Sequence, residues 1–194
     1  MSLQNKLDWV EKMEAMVEEQ FDASIKIFQN LPEDALLFSD AGEWSIAACL
    51  DHLNSYSSHY MPRIKKALKH DELAMNDFPV EKSWIGSYFI RMMEPKEDGK
   101  KYKAIKKHLP NLNTLDPYKN VADFIQALEE LDAILQLAKK CDPNKGKVTS
   151  SLSPLIRLKP VDAIEFVLVH NKRHLVQAKK QIKKFQNKGV PERN

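Results

Sequence analysis

Residues 161–185 read VDAIEFVLVHNKRHLVQAKKQIKKF. Apolar side chains recur there every three or four positions, at Ala163, Ile164, Val167, Ala178, Ile182 and Phe185. That is the period of a long helix with one buried face, and the rest of the chain is built around it. His170 and His174 fall on the same stripe. Four residues apart, they lie one turn from each other on one side of the helix. An imidazole buried with an unpaired nitrogen costs about 1–3 kcal/mol, whereas binding a metal satisfies it.

Six histidines in 194 residues produce about 0.2 such pairs by chance, so a site needs a third ligand on another core face. Trp44-Ser45 opens a second predicted helix, 45–69, with Ser45 placed to cap its first turn. Ala48, Cys49, His52, Tyr56 and Tyr60 share one face of it, and His52 is the third candidate ligand. Cys49, one turn earlier, could add a thiolate, but a buried cysteine is usually a small apolar filler. His59 lies about 10 Å further along the axis, too far to share a metal with His52, and a surface or hydrogen-bonded role is expected for it. Pro62 should kink this helix or end it early.

Two more helices complete the pattern. Residues 4–30 place Trp9, Met13, Val17, Phe21, Ile25 and Phe28 along one face, with a stop at Asn30-Leu31-Pro32. Residues 117–140 start with Asp116 as cap and Pro117 as first helical residue. The stretch 33–43 reads as a polar connection, and 144–154 as a turn-rich one. The long segment 71–116 holds a short helix around Trp84, Tyr88 and Phe89, expected to pack across the bundle. It also holds six lysines within 96–107, interrupted by Glu97 and Asp98, which read as a solvated loop. Residues 187–194 read as a frayed tail. The expected fold is all-α, a single four-helix-bundle domain over 1–194. The long crossover between the second and third helices gives it an up-down-down-up order.

Composition narrows the function. A net charge of +3 and a lysine run whose one interleaved aromatic is Tyr102 argue against nucleic acid. No apolar run approaches the ~18 residues of a membrane span, and the N-terminus lacks a signal peptide's apolar segment. A cytoplasmic protein is expected on those two grounds, and the two cysteines, Cys49 and Cys141, suggest no disulfide framework.

Trp44-Ser45, His52-Leu53, His170-Asn171-Lys172-Arg173-His174 and Gln177 together resemble the DinB-like metalloprotein superfamily. Its members are four-helix bundles of up-down-down-up order and include bacillithiol S-transferases and mycothiol-dependent maleylpyruvate isomerases. The resemblance implies a metal held by His52, His170 and His174, and three imidazole donors suit a divalent ion, zinc or nickel first and iron as an alternative. Arg173 and Gln177 match positions beside the second histidine of the pair: Arg173 either holds a substrate carboxylate or caps a loop, and Gln177 orients a ligand or a loop carbonyl. The chemistry implied is transfer of a low-molecular-weight thiol to a small electrophile. A metal-dependent hydrolase on the same site is the alternative. A third reading is a non-catalytic scaffold with a structural histidine cluster and a homodimer or partner surface at Trp84, Tyr88 and Phe89.

Overall fold

The computed structural model describes residues 4–40, 42–69, 77–95 and 102–188. The chain is mostly helical: α1 Lys6–Lys26, α2 Glu33–Leu37, α3 Ile46–Lys69, α4 Trp84–Met93, α5 Pro117–Lys140 and α6 Pro160–Lys188. Two short strands, β1 Val148–Thr149 and β2 Arg157–Leu158, form an antiparallel pair between α5 and α6. Among the described residues, no helix is long and apolar enough to cross a membrane.

The four long helices pack in a ring, α1 against α5 and α6, and α3 against the same two. Polar contacts fix the neighbours. Lys6 Nζ donates to the Lys139 carbonyl (2.9 Å), and Trp9 Nε1 to Glu165 (3.3 Å). Gln20 Nε2 donates to the Leu168 carbonyl (3.0 Å), Asn54 Nδ2 to the Asn120 carbonyl (3.0 Å), and Lys65 pairs with Glu130 (2.7 Å).

The first helix ends at Lys26 rather than at residue 30. Asn30 folds back and donates through Nδ2 to the carbonyl of Ile25 at 2.8 Å, satisfying an end the helix would otherwise leave open. Residues Phe28–Asn30 form a tighter 3₁₀ turn. Ile25, expected on the buried stripe, is 44% exposed. Each step of four rotates a position about 40°, so four such steps put Ile25 about 160° from Trp9. The buried face passes instead through Gln20, Ala23 and Ser24.

Pro62 neither ends nor interrupts α3. It sits on an exposed side of the helix, where the Ser58 carbonyl that loses its N–H partner can meet water. The expected cap is present, with the Ala48 N–H donating to Ser45 Oγ at 3.1 Å. So is the one expected for α5, where the Lys119 N–H donates to Asp116 Oδ1 at 2.9 Å.

Two stretches expected to be irregular carry structure. Within 33–43, α2 buries Ala35 and Leu36 against α3 and α5. After α5, the β pair buries Val148 and Leu158. The helix expected across the bundle is α4, packed on α6. Its Ser83 cap accepts from the Gly86 N–H (3.0 Å) and donates to Asp162 Oδ2 (2.6 Å). Gly86 is required here because a Cβ would lie 2.1 Å from Asp162 Cγ. Phe89 and Ile90 turn inward, whereas Trp84 and Tyr88 are exposed.

The α6 helix departs from a simple amphipathic pattern, since residues 160–171 are buried on every side. The acids of its first turns survive this because each has partners. Asp162 accepts from the Ser83 and Lys159 N–H groups and from Ser83 Oγ, and Glu165 pairs with Lys82 and Trp9. The helix runs to Lys188, past the expected start of the tail, whose residues 189–194 lie outside the described residues. Lys96, Glu97, Asp98, Lys100 and Lys101 of the lysine run are also outside them.

Candidate metal centre

His52 projects from the middle of α3, and His170 and His174 from successive turns of α6, where the two helices pack together. The ligand atoms of the three imidazoles all lie within 4.8 Å of one another, a set that could hold a metal ion. His52 Nε2 and His170 Nε2 are 3.3 Å apart. Two nitrogens bound at about 2.1 Å with tetrahedral angles are separated by about 3.4 Å, so this edge already has a coordinating spacing.

Hydrogen bonds settle which nitrogens are free. A carbonyl only accepts, so the 2.6 Å contact to the His108 carbonyl puts the proton of His52 on Nδ1 and leaves Nε2 with a lone pair. His174 donates from Nδ1 to Gln177 Oε1 at 3.2 Å, which orients its Nε2 in the same way. His170 Nδ1 is buried without a partner. Burial, then the repulsion that an added proton would meet from protonation of the neighbouring histidines and from Arg173, holds His170 well below its usual range and His174 at about 3. His52 is lowered by burial, partly offset by its carbonyl contact and Asp51. All three are therefore neutral at pH 7, the form in which imidazole binds metal. The donor set fits Zn²⁺, Ni²⁺ or Fe²⁺.

Aromatic rings frame the cluster. Trp44 stacks on His174 with ring centres 5.8 Å apart, Tyr56 lies 4.3 Å from His170, and Phe166 stacks on His170 at 5.7 Å. The three histidines line one side of a cavity of about 400 Å³. Arg173, Lys103 and Lys180 also line it, as do Trp44, Tyr56 and Tyr102. The Arg173 guanidinium lies 5.4 Å from the centre of the Tyr102 ring.

Cys49 stands apart from the histidine group. It is fully buried, and burial, then Glu43, push its thiol up to about 12, so it packs as a neutral filler. His59 takes the hydrogen-bonded role expected of it, through Nε2 to the Thr149 carbonyl at 3.0 Å. Sequence reasoning missed His108, Ser55 and the ring wall of Trp44 and Tyr102. His108 is 1% exposed and shares a 2.7 Å hydrogen bond with Ser55 Oγ.

A helical protein with three convergent neutral imidazoles beside an open cavity belongs to the class of bundles that can carry a metal. The family model of the DinB superfamily matches residues 16–178, and the chain belongs to that superfamily. No curated protein and no solved structure matches the chain.

Proposed function

We propose that this chain is a divalent-metal-dependent enzyme of the thiol S-transferase kind, with His52, His170 and His174 as its ligands. One observation carries the reading: three neutral imidazoles converge beside a cavity of about 400 Å³. Zinc or nickel suits the donor set best, with iron as the alternative. When bound, the metal supplies Lewis acidity, lowering the pKa of a coordinated thiol or water and polarising a carbonyl.

The chain's own residues bind and orient. Trp44, Tyr56 and Tyr102 offer flat apolar walls for a small electrophile. Burial, then Tyr60, push the Tyr56 phenol to about 12, so it stays protonated and serves as a hydrogen-bonding group, not a base. Arg173, Lys103 and Lys180 line the cavity, whereas the one acid among its described lining residues, Glu43, is engaged by Lys184 (2.8 Å) and Gln181. That balance favours an electrophile or thiol bearing a carboxylate or similar anion. In the transfer, a sulfur lone pair forms the new S–C bond, the bond from that carbon to the leaving group breaks with its electron pair going to the leaving group, and the thiol proton passes to water.

The up-down-down-up order and a single domain are part of the same reading. Its support is that the starts of α1 and α6 meet at Trp9 and Glu165, while the start of α1 meets the end of α5 at Lys6 and Lys139. Self-association is proposed at the exposed Trp84 and Tyr88, whose rings stack at 6.3 Å, and sedimentation of a Trp84→Glu variant tests it.

The deciding experiment is elemental analysis of purified, untagged protein beside His170→Ala, followed by turnover of anionic electrophiles with and without a small thiol. Near-stoichiometric metal in the wild type alone, with thiol-dependent turnover, is the expected result. Turnover without thiol would instead identify a hydrolase. No metal after reconstitution with Zn²⁺ or Ni²⁺ would sink both enzyme readings and leave a structural histidine cluster.

A further inference from the structure

Four contacts tie residues 107–111 to one side of α3 beside the metal centre. Lys107 Nζ meets His59 Nδ1 at 3.3 Å, and the His108 ring bonds Ser55 Oγ at 2.7 Å. The His108 carbonyl accepts from His52 Nδ1 at 2.6 Å, and the Asn111 N–H donates to Asp51 Oδ2 at 3.3 Å. Asp51, His52, Ser55 and His59 span an arc of about 100° on the helix, so together they grip a single strand of chain. The His108 ring is further pinned against Tyr56, with centres 4.1 Å apart. At 1% exposure it cannot reach a substrate.

We propose that His108, anchored by Ser55, is a positioning residue for His52: its turn holds the His52 imidazole as the Nδ1–H tautomer, with the Nε2 lone pair aimed at His170 and His174. The inference rests on reading the three histidines as a metal centre. A neutral imidazole that loses such an acceptor is free to carry its proton on Nε2, where it blocks the lone pair a metal needs. The backbone carbonyl cannot be substituted, but its position depends on a side-chain bond that can. The same stretch of chain leads back to Tyr102, Lys103 and Ala104 in the cavity wall. Metal affinity and the order of that wall are thereby linked.

The test compares wild type with Ser55→Ala and with His108→Phe, which keeps a ring against Tyr56 but removes Nδ1. Ring ¹⁵N shifts of His52 in the metal-free, full-length protein report its tautomer, and competition with a chromophoric chelator reports Zn²⁺ affinity. The expected result is Nδ1–H in the wild type and a shift towards Nε2–H in both variants, with affinity about 10- to 100-fold weaker. A wild-type His52 protonated on Nε2 would overturn the proposal. So would variants that keep the wild-type tautomer and bind Zn²⁺ within about twofold of wild type. If the wild type binds no Zn²⁺, the metal reading fails and the tautomer comparison alone decides the positioning role. If neither variant folds, hydrogen exchange of wild-type residues 105–109 decides: slower exchange with Zn²⁺ supports the linkage, and unchanged exchange overturns it.

Discussion

The Nε2 atoms of His52 and His170 face each other at 3.3 Å, although the residues are 118 positions apart in the chain. Because His52 keeps its proton on Nδ1, this pair without metal can be bridged only by a proton on His170 Nε2. A cation that takes both lone pairs displaces that proton. His170→Ala should therefore abolish metal retention, reducing metal per chain from near one to background. Cys49→Ala, which removes a thiol outside the histidine group, should leave metal content unchanged. Elemental analysis of the three proteins checks both expectations.

Removing the metal should lower stability. A ligand held at 100 times its dissociation constant stabilises the folded state by about 2.7 kcal/mol. Excess chelator should therefore lower the melting temperature of the wild type by several degrees and leave that of His170→Ala where it was. Scanning calorimetry of the four samples reads this directly, and equal shifts in both proteins would place the metal elsewhere.

Acid should destabilise the metal-free protein well before the carboxylates titrate. Folding holds His108 at about 4 and His174 at about 3, and lowers His52 and His170. In the unfolded chain all four titrate near 6.5. Below about 6.5 the unfolded state binds protons that the folded state refuses, so stability falls as pH falls, down through the folded values. The urea midpoint should decline steadily from about pH 7 to about pH 5, and less steeply in His108→Phe. A flat midpoint across that range contradicts the burial of these rings.

The histidine triad was legible because its members sit on helices with clean periodicity. His52 shares a face with Cys49 and Tyr56, and His170 and His174 are one turn apart. His108 was not, because it lies in a stretch, KKHLP, with no period from which to assign a face. Only tertiary packing turns its ring between Tyr56 and Ser55. The β pair was hidden for a related reason, since two strands of two residues are too short to display alternation. Pro62 misled in the opposite direction: its local rule is sound, but an exposed helix face tolerates the lost bond.

Gly86→Ala should loosen α4. The new Cβ would sit 2.1 Å from Asp162 Cγ. That carboxylate cannot swing aside without giving up the Ser83 and Lys159 N–H donors and Ser83 Oγ. Overpacking of this kind costs about 1–3 kcal/mol. Chemical denaturation should show a lower midpoint with an unchanged slope, and metal content should stay at the wild-type level because α4 supplies none of the three histidines.

Arg173 separates binding from metal loading. Its guanidinium lies over the Tyr102 ring and lines the same cavity as the histidines. A planar fork at that position can grip a carboxylate with two parallel bonds, which a lysine cannot reproduce. Arg173→Leu should leave metal content near wild type and raise KM for an anionic electrophile about tenfold or more, the loss of roughly 1.5–3 kcal/mol of charged hydrogen bonding. Arg173→Lys should restore charge without the fork and recover only part of that loss. For a neutral electrophile of the same shape, all three proteins should have similar KM values. An equal loss for the neutral and anionic substrates would assign Arg173 to holding the Tyr102 wall, with no direct role in recognition.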